Sequence, residues 1–173
     1  MKLYVMRHAK SSWQNLKLKD HDRPLKKTGK KATKLMCEFF VKNQIKFDLT
    51  YVSSSKRAVE TLKILKNELK IGKIVKDKKL YLASKEKLIS ILKNTSNKYK
   101  SILLINHEPA SKDLILNLCK IERKPNYRLL KQKFPTAAFA EIEFSYKNWS
   151  KIKPKSGRLI QFVRPKDLYE SRE

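Results

Sequence analysis

A chain of 173 residues is long enough for one domain with a buried core, and its 40% hydrophobic content excludes a disordered basic tail. Only 3 Gly and 6 Pro exclude collagen-like and low-complexity classes, and no apolar run approaches the roughly 20 residues that span a bilayer. The formal charge of +26 invites a polyanion, but it comes from 34 Lys and only 8 Arg, scattered from Lys2 to Lys166. Nucleic-acid recognition leans on Arg, so the charge reads as a solvated lysine surface, with nucleic acid disfavoured as a partner.

The first apolar run, Leu3 to Met6, is too short for a secretory signal and reads as a buried strand. Ala32, Leu35, Met36, Phe39 and Phe40 then recur at helical spacing over residues 28–43, with Thr28 as the expected N-cap. Leu49 to Val52 reads as a second strand. Ala58, Leu62, Leu65 and Leu69 mark a helix from about Lys56 to Lys70. Residues 72–76 read as a short strand, and Ser84 as the cap of a helix carrying Leu88, Ile89, Ile91 and Leu92. Ser101 to Ile105 is a buried-strand run. Pro109 suits the first turn of a helix carrying Leu114, Ile115 and Leu118. Ala140, Ile142 and Phe144 alternate with Glu141 and Glu143 as in a half-buried strand, and Gly157 turns the chain into a last strand at about Leu159 to Val163. Low order is expected over Lys120 to Lys133 and in the last few residues.

Strand and helix alternate, with two late strands. The expected architecture is α/β: a single three-layer domain over residues 1–173, with a mostly parallel central sheet and helices on both faces. No repeat or linker divides it. Cys37 and Cys119 form no CxxC and fall in apolar helical patterns, so they read as reduced core thiols of a cytoplasmic protein.

In such sheets, ligands bind beyond the carboxyl ends of the strands. Arg7-His8 follows the first strand there, Ser53-Ser54-Ser55-Lys56-Arg57 the second, and Asn106-His107-Glu108-Pro109 the fourth. Two imidazoles and two guanidiniums without an acidic cluster suit a phosphate dianion better than a metal. The helix near Pro109 is expected to add its positive end. A neutral imidazole held at its other nitrogen can attack phosphorus, giving a phosphohistidine that water then cleaves. Lys10 reads as a rim charge, and Trp13 as a residue of the pocket mouth or of the packing. His21, between Asp20 and Asp22, reads as a surface histidine pairing with those carboxylates.

Seven blocks carry a resemblance: MRHAKSSW at 6–13, DHDRPLKKTGKKA at 20–32, SSSKRAVETL at 53–62, LYLAS at 80–84, INHEPA at 105–110, KFPTAAFAEIEF at 133–144 and SGRLIQFVRP at 156–165. In this order they resemble the histidine phosphatase (phosphoglycerate mutase-like) superfamily, and within it the SixA-like phosphohistidine phosphatases. The resemblance implies a phosphoglycerate mutase-like fold and a phosphatase without metal or other cofactor, whose substrate is a phosphohistidine protein or a small phosphorylated molecule. It implies His8 as nucleophile, Arg7 and Arg57 as phosphate-binding arginines and His107 as the second histidine. Arg23 and Ser11 would line the substrate pocket. Three departures stand out. Ala9 replaces the usual glycine. Asn106 and Glu108 flank His107 in place of Gly and Asn, so a negative charge lies near the phosphate site. The position where ester-cleaving relatives carry an acidic residue is Leu82, which cannot donate a proton. Asp20, Asp22, Asp77 and Glu86 are the possible substitutes. An alkoxide needs a proton to leave, whereas imidazole, with a pKa of about 6.5, leaves more readily. The pattern therefore tilts toward phosphohistidine. The alternatives are a small-molecule phosphomonoesterase, or a basic polyanion binder with an inactive site.

Overall fold

The computed structural model describes residues 1–170, so the expectation of low order at the extreme carboxyl terminus falls on 171–173, outside the described residues. In chain order the elements are β1 (Lys2–Arg7), α1 (Lys27–Lys42), β2 (Phe47–Ser53), α2 (Lys56–Leu65), β3 (Ile71–Asp77), α3 (Lys85–Lys93), β4 (Ser101–Asn106), α4 (Ala110–Leu118), α5 (Pro125–Gln132), β5 (Phe139–Glu143), β6 (Arg158–Val163) and α6 (Pro165–Glu170). They form a single α/β domain around one six-stranded sheet of order β3-β2-β4-β1-β5-β6. The first four strands run parallel, and β5 and β6 pair antiparallel. Among the described residues, no helix is long and apolar enough to cross a membrane.

Strand alternation divides the core in two. Leu3 and Val5 of β1 face a cluster with Leu88 and Leu92 of α3, Leu114 and Leu118 of α4, and Tyr127 and Leu130 of α5. Tyr4 and Met6 face the opposite cluster, with Met36 and Phe40 of α1 and Leu62 and Leu65 of α2. Helices thus cover both faces, as the β-α alternation implies. Cys37 and Cys119 are free and buried, one in each cluster.

Several local expectations change. Thr28 is not the N-cap of α1: the helix opens at Lys27, and Lys26 holds the N-cap position without a side-chain bond. The second helix ends at Leu65. Leu69 still packs against the core, because a turn closed by Leu69 N–H to Leu65 O returns it there. Part of the stretch expected to be poorly ordered forms α5, which starts on Pro125 and buries Tyr127 and Leu130 three residues apart, a short apolar face hidden in a charged segment. Glu141 is not on a half-exposed face. Pairing of β5 between β1 and β6 leaves it 3% exposed. There it binds the Tyr4 hydroxyl, Gln161 and Lys2, as a buried carboxylate must. Ser84 does cap α3, accepting from Lys87 N–H.

The loop after β1 is folded back on the start of α1. Ser12 N–H donates to Pro24 O, Lys26 N–H donates to Lys10 O, and Ser11 bridges Leu25. Gly29 permits this approach, since a Cβ there would lie 2.3 Å from Lys10 O. Lys10 O is a backbone atom and cannot swing away, so Gly29→Ala must lift α1 off the loop. The expected loss is about 1–3 kcal/mol. A thermal melt checks it at about 2–4 °C per kcal/mol; an unchanged melting temperature would contradict the close docking.

Candidate active site

The carboxyl ends of β1, β2 and β4 converge on one open pocket of about 320 Å³. All six residues expected to act there line it: Arg7, His8, Ser11, Arg23, Arg57 and His107. His8 is 7%, Arg57 5% and His107 5% exposed, so the polar groups sit at the base of the pocket.

Parallel pairing of β1 with β4 sets Arg7 beside Asn106 and fixes the two histidines one residue beyond. Their ring centroids lie 4.8 Å apart. His8 N–H donates to Asn106 O, and Thr61 of α2 accepts from Ala9 N–H. The His8 Nδ1 is 2.8 Å from Ala9 O. A carbonyl only accepts, so Nδ1 carries the proton and Nε2 keeps its lone pair. Arg57 Nε lies 3.2 Å from that Nε2. His107 Nε2 meets the hydroxyls of Ser53 at 2.7 Å and Ser55 at 3.3 Å, and its Nδ1 faces Arg57 Nη2 at 3.5 Å. Arg7 donates through Nη1 to Phe134 O, while its Nε is buried without a protein partner. An oxyanion would satisfy that N–H.

Burial is the first cause that holds both imidazoles neutral. It takes His8 down to about 4, reinforced by Arg57, Arg7 and Arg23, and His107 down to about 3, reinforced by His8 and Arg57. An unfolded histidine titrates near about 6.5. Between that value and the folded one of about 4, the unfolded chain binds more protons. His8 therefore makes folding stability fall as pH drops through this window, and adds nothing above it. An NMR titration should find the His8 and His107 rings neutral at pH 6.5. A ring titrating near its ordinary value would contradict this burial.

Asp20 and Glu108, both singled out in the sequence, line the same pocket, and Tyr81 joins the site through Asp20. Asp20 Oδ2 accepts from Arg57 Nη2 at 2.9 Å and from the Tyr81 hydroxyl at 2.7 Å, and Oδ1 lies 3.3 Å from Arg23 Nη1. The Tyr81 bond, then Arg57, hold this carboxyl below its usual range. Arg23 also donates to Ser11 Oγ and stacks on Trp13, with Cζ 3.3 Å from the ring centroid. Trp13 is thus both packed and at the mouth. Lys10 lines the rim, as expected. His21 pairs with Asp22 at 3.1 Å and reaches Ser54 Oγ at 2.9 Å, tying its loop to the β2–α2 turn. Leu82 lies on the rim, 74% exposed. Of the possible substitutes for an acid there, Asp20 lines the pocket, whereas Asp22, Asp77 and Glu86 do not. The N-terminus of α4 is answered by its own neighbour: Lys112 N–H donates to Glu108 Oε1 at 3.0 Å.

Residues 3–81 match the sequence profile of the Histidine phosphatase superfamily (branch 1). An uncharacterized protein of Mycobacterium tuberculosis, Rv1276c, is 26% identical over 163 residues, which cover 93% of this chain and 100% of that protein. Two solved structures share the fold. One is assigned as the phosphohistidine phosphatase SixA of Nakamurella multipartitia, with a TM-score of 0.83 at 18% identity over 95% of each chain. The other is the protein histidine phosphatase SixA complexed with tungstate, with a TM-score of 0.79 at 23% identity over 97% of this chain and 99% of that one.

Proposed function

We propose that the chain is a phosphatase of the histidine phosphatase superfamily, acting through His8 with protein phosphohistidine as its substrate; the profile match over residues 3–81 and the fold shared with the SixA structures support this reading. The observation that carries this reading is the lone pair of His8 Nε2, held toward a pocket walled by Arg7, Arg57 and His107. His8 Nε2 attacks phosphorus, a P–N bond forms to His8, and the bond to the leaving group breaks. Arg7, Arg57 and His107 stabilise the three peripheral oxygens, where charge accumulates. Water then cleaves the P–N bond, releasing phosphate and restoring His8.

A tetrahedral oxyanion is bound in the SixA structure described as complexed with tungstate, and the guanidiniums here suit the same geometry. The rim supports a protein substrate. Trp13 is 67%, Leu16 85% and Leu82 74% exposed, apolar surface that a docking protein would cover. No metal is required in this scheme, because the guanidiniums supply the positive charge. Among the described residues, no group of three His, Cys, Asp or Glu side chains is placed to hold one.

The test compares kcat/KM for a phosphohistidine-bearing protein with that for simple phosphate esters, with and without a chelator. The expected result is a preference of at least about tenfold for the phosphoprotein, unchanged by chelation. Equal or better turnover of a small ester would overturn the substrate reading, and loss restored by a divalent ion would overturn the metal-free one.

A further inference from the structure

Two apolar side chains stand at the mouth of a pocket whose base is charged: Trp13 and Leu82 both line it, 67% and 74% exposed. Each is held in place. One face of the Trp13 indole is covered by Arg23, whose Cζ lies 3.3 Å from the ring centroid, and Arg23 is itself buried and bound to Ser11 and Asp20. The exposed part of the indole is therefore its opposite face and its edge. Leu82 is the third residue of a turn over residues 80–83, which Ala83 N–H closes on Leu80 O. Tyr81 has φ −72° and ψ 123°, and Leu82 has φ 55°, the type II arrangement that favours glycine at the third position. A leucine there is strained and also exposes apolar surface to water, two costs that folding alone does not explain. The bonded series Arg23–Asp20–Tyr81 ties the two sides together: Asp20 Oδ1 lies 3.3 Å from Arg23 Nη1, and Oδ2 accepts from the Tyr81 hydroxyl at 2.7 Å. We propose that Trp13 and Leu82 form the subsite for the leaving group, and that they select the imidazole ring of phosphohistidine.

The chemistry of the mouth fits that ring. The P–N bond to the substrate ring breaks as His8 Nε2 bonds to phosphorus, and the electron pair returns to the ring nitrogen. The ring, which has taken a proton from solvent on its other nitrogen, departs as neutral imidazole. Until the bond breaks the ring carries positive charge, and a flat cation is attracted to the free face of an indole. Neither Trp13 nor Leu82 can give a proton, and this leaving group takes none from the protein, because imidazole titrates near about 6.5. Leu82 thus supplies apolar contact where an acid would serve an alcohol. An aliphatic alcohol offers neither a flat face nor a charge. The phosphoryl group meanwhile occupies the base, among Arg7, Arg57 and His107.

This inference rests on the phosphatase reading, and its test separates the two. Free phosphohistidine carries the ring without a protein surface, and phosphoramidate carries a P–N bond without a ring. Wild type, Trp13→Ala, Trp13→Phe and Leu82→Gly are assayed on both. Glycine suits the turn and both side chains are largely exposed, so the fold is retained; melting curves check this. The expected result is that kcat/KM of Trp13→Ala falls at least about fivefold more on phosphohistidine than on phosphoramidate, the scale of one aromatic or cation–π contact. Leu82→Gly should lose at least about threefold more on phosphohistidine, the scale of a partly buried aliphatic contact. Trp13→Phe should restore most of the ratio. Equal losses on the two compounds overturn the subsite, since Trp13 then only holds Arg23 in place. So does a ratio unchanged in Leu82→Gly, and so does a wild type that cleaves phosphohistidine protein or phosphoramidate but not free phosphohistidine. The phosphatase reading survives each of these outcomes. Absence of wild-type turnover on both compounds and on phosphohistidine protein overturns that reading and this inference together.

Discussion

His8→Ala is expected to lower turnover by at least about 10³-fold and to abolish covalent labelling at once, since removal of a nucleophile is among the costliest single changes an enzyme suffers. The geometry gives the reason. His8 Nδ1 is committed to Ala9 O at 2.8 Å, so the imidazole is locked in one tautomer with Nε2 facing the pocket. Burial holds its pKa down to about 4, so at neutral pH essentially every molecule carries the reactive lone pair. Quenched-flow labelling with a radiolabelled phosphoramidate is the measurement. Wild type should show a phosphoenzyme stable to base and labile to acid, as a phosphoramidate bond requires, and the variant none. Ordinary turnover by a folded His8→Ala protein would end the mechanism.

Arg57→Ala is expected to cost about 10²–10³-fold in kcat, the scale for one preorganised donor to transition-state charge. Arg57 makes four connections: Nε to His8 Nε2 at 3.2 Å, Nη1 to the Asp20 backbone carbonyl at 2.5 Å, Nη2 to Asp20 Oδ2 at 2.9 Å, and Nη2 to His107 Nδ1 at 3.5 Å. A lysine has one ammonium and no planar fork, so Arg57→Lys should restore little of the loss. A second readout distinguishes this role from bulk destabilisation. Arg57 is the larger of the cationic influences that lower the His8 pKa, so its removal should raise the pKa of His8 above about 4. An NMR titration reads this directly. An unchanged His8 titration with retained kcat would show that Arg57 only packs at the start of α2 and takes no part in the chemistry.

The strands and most helices were legible because their cause is local. Period-two and period-3.6 apolar patterns need only a buried face, and β1, β4, α1 and α4 fall where those patterns place them. Leu69 and Tyr127 show the limit of such reading. Each is partly or largely buried by chain that returns from elsewhere, so the end of α2 and the presence of α5 depend on packing rather than on the run of residues. Glu141 is the sharper case. Alternation assigns it to a polar face, yet its strand lies second from the edge of the sheet, and Tyr4, Gln161 and Lys2 satisfy it there.

The sequence by itself determined which residues lie at the strand ends: Arg7 as the last residue of β1 and His8 just after it, Arg57 after β2 and His107 after β4. A βα unit carries its polar turn at the strand's carboxyl end, wherever the strand lies in the sheet. Only the tertiary structure decided that β1 and β4 are neighbours, which sets the two imidazoles 4.8 Å apart. It also decided that Asp20 meets Tyr81 across 61 positions and Arg57 across 37, and that Glu108 faces the same pocket as His8. The protonation of these groups follows from burial and from charges distant in the chain. The +26 charge divides in the same way. Its total is a matter of composition, but the few cations that face one phosphoryl group are chosen by the order of the strands.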